Sequence, residues 1–306
     1  MLCACLMVVI LHSCFTGVEG TPKIGKSDLK HNNIKTHGMG SILSDIESLP
    51  FSQWHPGKEF LVVNPRISII FTPSADNPEF SSGDKIVFQE AREVTSPTGK
   101  AVEILFNKKN SIQPLIYKIN ASLDELNERT FVEIPFTIDP EPIAEVKQRL
   151  SGKTFYILTP RWFDTNGQLT TKIKYIPVTI INVEAGDTDF PVRLIFHPQY
   201  TGFQPDDIYY MPISIGTSQH NTRNFETLFS EENPRLKHQS TTNEMWTAII
   251  ENRLLPGMTR EEARLALGSP NDVDRRHDYS SVYEQWTYDG GTYLIFRDGI
   301  LESFRR

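Results

Sequence analysis

Gly57-Lys58-Glu59-Phe60-Leu61-Val62-Val63-Asn64-Pro65-Arg66 returns later in the chain as Gly152-Lys153-Thr154-Phe155-Tyr156-Ile157-Leu158-Thr159-Pro160-Arg161. Each copy runs Gly-Lys, one residue, Phe, three apolar residues, one polar residue, Pro-Arg. Further on, Ala101-Val102-Glu103-Ile104-Leu105-Phe106 matches Pro191-Val192-Arg193-Leu194-Ile195-Phe196, and Leu115-Ile116-Tyr117 matches Ile208-Tyr209-Tyr210. Three agreements in one order mark a tandem duplication. The repeated segments are short, rich in β-branched and aromatic residues, and bounded by turn residues such as Ser81-Ser82-Gly83-Asp84 and Thr165-Asn166-Gly167. That pattern predicts antiparallel hairpins, about five short strands per copy, and hence a small β-barrel or sandwich for each.

Working outward sets the boundaries. The first β module spans residues 45–138 and the second 139–222. Asp139-Pro140-Glu141-Pro142 opens a capped helix through Leu150, which belongs to the second module. Residues 223–240, with Asn233-Pro234, read as a linker.

From residue 241 the pattern changes to α+β. Thr241 with Glu244 and Thr259 with Glu262 are capping boxes, each opening a helix. Gly268 and Pro270 stop the second helix. Val282–Tyr288, Thr292–Arg297 and Ile300–Phe304 then form a three-stranded meander through turns at Gly290-Gly291 and Asp298-Gly299. The fold class expected is multi-domain and mainly β: two tandem modules, then a helix-helix-meander domain over 241–306.

Leu255-Pro256-Gly257-Met258-Thr259, Leu267-Gly268-Ser269-Pro270, Trp286-Thr287-Tyr288 and Phe296-Arg297-Asp298-Gly299 together resemble the BamE-like (SmpA/OmlA) domain. The resemblance covers about a fifth of the chain. It implies a Gram-negative outer-membrane lipoprotein facing the periplasm, with other envelope proteins as partners. Related domains of this shape act as inhibitors that bind enzymes through a sheet face.

The start of the chain points the same way. Leu2–Phe15 is an apolar run of signal-peptide length without the usual basic start, so residues 1–20 read as a signal peptide and 21–44 as a polar linker. Two cleavage sites compete: Leu11-His12-Ser13-Cys14 has lipobox form, with Cys14 lipidated to give a membrane anchor, and Val18-Glu19-Gly20 permits cleavage before Thr21. Cys3, Cys5 and Cys14 are the only cysteines, so the body has no disulfide, thiolate metal site or cysteine nucleophile.

Composition narrows the chemistry. With 39% hydrophobic and 23% charged residues over 306 positions, the chain is globular, and a net charge of −7 argues against nucleic acid as partner. The eight histidines are scattered without metal-ligand spacing, and there is no nucleophile elbow or phosphate loop. No cofactor, metal or enzymatic activity is expected; a hydrolase is the weakest reading. The residues for partner binding are Arg66 and Arg161, equivalent in the two copies, with Trp162, Trp286 and Tyr288. The alternative is a secreted ligand- or glycan-recognition protein with paired sites, which exposed aromatics around Trp162, Phe163 and Tyr175 would favour.

Overall fold

Both copies of the repeated stretch fold as a short strand entered through a glycine at positive φ, 100° at Gly57 and 79° at Gly152. In the computed structural model, which describes residues 42–72, 78–97, 99–216, 223–277 and 281–306, the first sheet holds β1 (Glu59–Val62), β2 (Lys85–Ser96), β3 (Gly99–Lys108), β4 (Pro114–Ile119) and β5 (Thr137–Ile138). Its order is β4-β3-β2-β1-β5. The second holds β6 (Thr154–Ile157), β7 (Arg161–Asp164), β8 (Leu169–Thr171), β9 (Ile176–Ala185), β10 (Val192–Pro198), β11 (Tyr209–Ile213) and β12 (Phe229–Ser230), in the order β12-β6-β9-β10-β11-β7-β8. The leader, Cys14 and most of the 21–44 segment lie outside the described residues.

The duplication extends to individual hydrogen bonds. Gly57 N donates to Phe88 O and Phe88 N to Lys58 O; Gly152 N donates to Ile180 O and Ile180 N to Lys153 O. Each long hairpin carries one extra residue at the same place, Gln89 in β2 and Ile181 in β9. Beyond it, Phe106 pairs with Leu115 and Phe196 with Tyr209. Leu115 therefore corresponds to Tyr209, one residue on from the sequence match to Ile208. Because strand side chains alternate between faces, that slip exchanges the buried and outward sets.

Neither sheet closes into a barrel; both are open antiparallel sheets with one face covered. Phe60, Val62, Ile86, Phe88, Ile104 and Phe106 line the first core, capped by Phe51, Ile67 and α1 (Leu123–Asn127). Each fully buried side chain of this size contributes about 1.5–3 kcal/mol. The second sheet packs on α2 (Pro140–Leu150), whose Asp139 cap and Pro140 start follow the sequence, and on Leu43 and Ile46 from far upstream. Residues 223–240, expected as a linker, supply α3 (Phe225–Leu228) and β12, with Phe225 and Phe229 buried in this same core.

The C-terminal part has α4 (Asn243–Ile250), α5 (Arg260–Leu267) and a sheet β13-β14-β15-β16: Asp272–His277, Val282–Thr287, Tyr293–Arg297 and Ile300–Arg305. The expected three-stranded meander thus gains β13, exposed at all its positions and without the apolar alternation that announces a strand. Thr242, not Thr241, caps α4; Thr241 is buried in the preceding turn. The Thr259–Glu262 capping box forms, and Gly268 at φ 91° ends α5. These elements share one core with the second sheet, joined at residues 172–175. There Tyr175 stacks on Trp246 at 5.7 Å, and Lys174 Nζ donates to Ala266 O at 2.7 Å. No helix among the described residues is long and apolar enough to cross a membrane.

Candidate functional site

The sequence candidates separate by burial. Asn64 Oδ1 accepts from Arg66 N at 3.0 Å and Thr159 Oγ1 from Arg161 N at 3.2 Å, so the same local turn presents both arginines, each exposed. The next residue is buried in each copy: Ile67 in the first, Trp162 in the second. Trp162 donates from Nε1 to Thr159 O at 2.7 Å and packs against Phe196, Phe203 and Tyr209. With no exposed surface it cannot meet a partner, which corrects its place among the binding residues.

Trp286 is corrected for the same reason. It is fully buried against Phe296, with the Arg264 guanidinium 4.5 Å from its ring. Its Nε1 donates to Glu284, whose carboxylate also takes Arg260 at 2.7 Å and Arg275 at 2.8 Å. Burial pushes the Glu284 carboxyl up, but these hydrogen bonds and charges outweigh it and hold the group below the usual range. Both oxygens are occupied, so the cluster is a clamp between α5 and the sheet. Tyr288 is half-buried and donates to Gly268 O at 3.1 Å, fastening the end of α5; burial pushes its phenol up to about 12.

The arrangement with free binding capacity is the outer face of the second sheet. Phe163 and Tyr210 are register partners, their rings stacked at 5.2 Å and 21°. Arg193, diagonal to Tyr210, lays its guanidinium 4.6 Å over that ring. Arg223 lies 5.5 Å from Phe163 and 5.3 Å from Phe190. Burial, then the nearby charge of Arg161, lowers the Arg223 pKa. Leu169, opposite Phe163, and Ile181, the extra residue of β9, extend the surface and are 43% and 45% exposed. Among the described residues, Arg161, Arg193 and Arg223 have no carboxylate partner.

The first sheet shows what these positions do otherwise. Arg92 and Glu103 are register partners on its outer face and form an ion pair at 2.8 Å. Their counterparts, Glu184 and Arg193, carry the reversed charges and face each other in the same register. Yet Glu184 takes Asn182 at 3.0 Å while Arg193 turns to Tyr210, where the first sheet has Ile116. Sequence reasoning named Arg161 and Phe163 but missed Arg193, Tyr210, Phe190 and Arg223. One signal was present: Glu103 against Arg193 is a charge reversal inside the second matched stretch of the repeat.

Family models, curated proteins and solved structures, each compared with this chain, give no match.

Proposed function

We propose that this chain is an exported cell-envelope binding or assembly protein, acting by recognition rather than catalysis. It is held at the periplasmic side of the outer membrane through Cys14, or released into the periplasm after cleavage beyond Gly20. In this reading two β modules precede a BamE-like domain over 241–306, and other envelope proteins are the partners. The observation that carries it is the outer face of the second sheet. There the matched ion pair of the first sheet is given up, and two arginines, Arg193 and Arg223, lie over aromatic rings instead, with Arg161 on the same face. Tyr, Phe and Arg are the residue types enriched at protein interfaces, and unpaired charge at a surface favours selective association.

The test is affinity capture from membranes with the whole chain, with Arg193→Ala, and with Val273→Ser on the exposed strand β13 of the C-terminal sheet. Partners lost with Arg193→Ala and retained with Val273→Ser would put recognition on the second sheet; the reverse would put it on the C-terminal sheet. Identical partner sets in all three would remove the proposal. Cys14→Ser, with unchanged membrane fractionation, would remove the lipid anchor alone.

A second reading, ligand or glycan recognition by a secreted protein, is favoured by one observation: Phe163 and Tyr210 lie side by side on an open sheet face. Binding of neutral oligosaccharides that is lost in Phe163→Ala and kept in Arg193→Ala would select it.

A further inference from the structure

Resting on the binding-protein reading above, we infer that the outer face of the second sheet docks an acidic protein segment, one with carboxylates flanking an apolar or aromatic side chain. The argument is charge complementarity. Arg193 lies over Tyr210 and Arg223 over Phe163, Arg161 shares their face two residues before Phe163, Leu169 and Ile181 are exposed beside them, and the nearest register acid, Glu184, is engaged by Asn182. A guanidinium lying over a ring keeps its in-plane donors fixed in direction, the geometry that matches a carboxylate fork; among the described residues Arg193 has them free, and Arg223 gives one to Met211 Sδ at 3.8 Å. Holding it there beforehand removes part of the entropy lost on binding. The apolar centre with an arginine rim then fits a side chain flanked by acids.

A second copy of the chain is a poor occupant, since two such faces brought together would oppose arginine to arginine. The corresponding face of the first sheet is a poor surface for the same segment. There Arg92 and Glu103 neutralise each other, and Glu103 also has Lys118 beside it in register.

The experiment measures fluorescence anisotropy of a labelled peptide, Glu-Glu-Phe-Glu-Glu, against the whole chain, with Gln-Gln-Phe-Gln-Gln as its neutral twin. The acidic peptide is expected to bind at least about tenfold more tightly than the neutral one and to weaken as salt rises. Arg193→Ala and Arg223→Ala should each cost about tenfold, and Arg92→Ala on the first sheet should cost nothing. Tyr210→Ile, which restores the residue type of the first sheet, should also weaken binding by releasing Arg193 to Glu184. If that variant does not fold, the two arginine variants on the surface still decide the matter.

Equal binding of the neutral peptide, or no binding of either, overturns the inference. So does preferential binding of polygalacturonate or of phosphatidylglycerol vesicles with the peptide inactive, which would assign the arginines to a polysaccharide or a lipid surface. Membrane partners lost in Arg193→Ala without peptide binding would leave the binding-protein reading intact and remove only the acidic segment.

Discussion

The two copies of the repeat share the order of their four matched strands, their bulge and the entry through glycine, yet they spend their polar residues differently. In the first copy Lys58 is 1% exposed, its ammonium held at 2.8 Å by both Asp139 and Glu141 at the start of α2. Its counterpart in the second copy, Lys153, is exposed to solvent. On the outer faces the contrast reverses: the first sheet closes its charges on itself, and the second leaves its arginines open. The same backbone thus serves once as a brace, turned toward the rest of the chain, and once as a surface, turned toward something else.

The sharpest way to break this comparison is at the residue after each exposed arginine. Trp162→Ala should cost about 4 kcal/mol of stability, the range for an emptied aromatic site in a core, and Ile67→Ala about 3. Urea denaturation measures both. If Trp162→Ala were as stable as the parent and lost only binding, the tryptophan would be a contact residue after all. Next in size is the brace. Lys58→Ala leaves the carboxylate of Asp139 buried without its ammonium and should cost about 3 kcal/mol. Lys153→Ala should stay within about 0.5 kcal/mol, as surface changes do. Similar losses at both positions would mean that the second copy has a brace too.

Much of this architecture was legible in the sequence, and the reasons are local. Phe60 and Phe155 sit in short apolar runs bounded by Gly-Lys and Pro-Arg, which mark them as strands, and Asp139-Pro140 and Thr259 with Glu262 satisfy helix ends with neighbouring residues. What could not be read depends on distant partners. In Arg161-Trp162-Phe163-Asp164 two aromatics point to opposite faces, and only pairing with β11 decides that Trp162 is inside and Phe163 outside. The strand β13 lacks a buried face, so its sequence carries no apolar period. Arg193 looks like half of an ion pair until the register puts Tyr210 beside it.

The second copy also differs in sharing its core with the C-terminal helices, and Lys174 stands at that junction. Burial lowers its pKa to about 8. Between pH 8 and about 10.5 the unfolded chain holds this proton and the folded chain does not, so stability rises with pH across that window. The gain is at most about 3 kcal/mol, and it should disappear in Lys174→Met. Chemical denaturation of both proteins at pH values spanning the window, taken as a difference to cancel the tyrosines, checks it. A difference independent of pH would mean that the amine reaches water and that the junction is looser than its packing implies.

The smallest effect bears most directly on why the two outer faces differ. If Tyr210 is what draws Arg193 away from Glu184, a double-mutant cycle on Arg193 and Glu184 should give a coupling near zero, and the same cycle on Arg92 and Glu103 about 0.5 kcal/mol. In the Tyr210→Ile background the Arg193–Glu184 coupling should rise to the value of the first sheet, because the register already sets the two opposite each other. Converting Ile116 to Tyr should not do the converse, because the residue diagonal to it is Glu103 rather than an arginine, and the Arg92–Glu103 coupling should stay unchanged. A coupling at Arg193 and Glu184 that is already full with Tyr210 in place would show that the arginine is neutralised in solution. The second sheet would then be as closed on itself as the first.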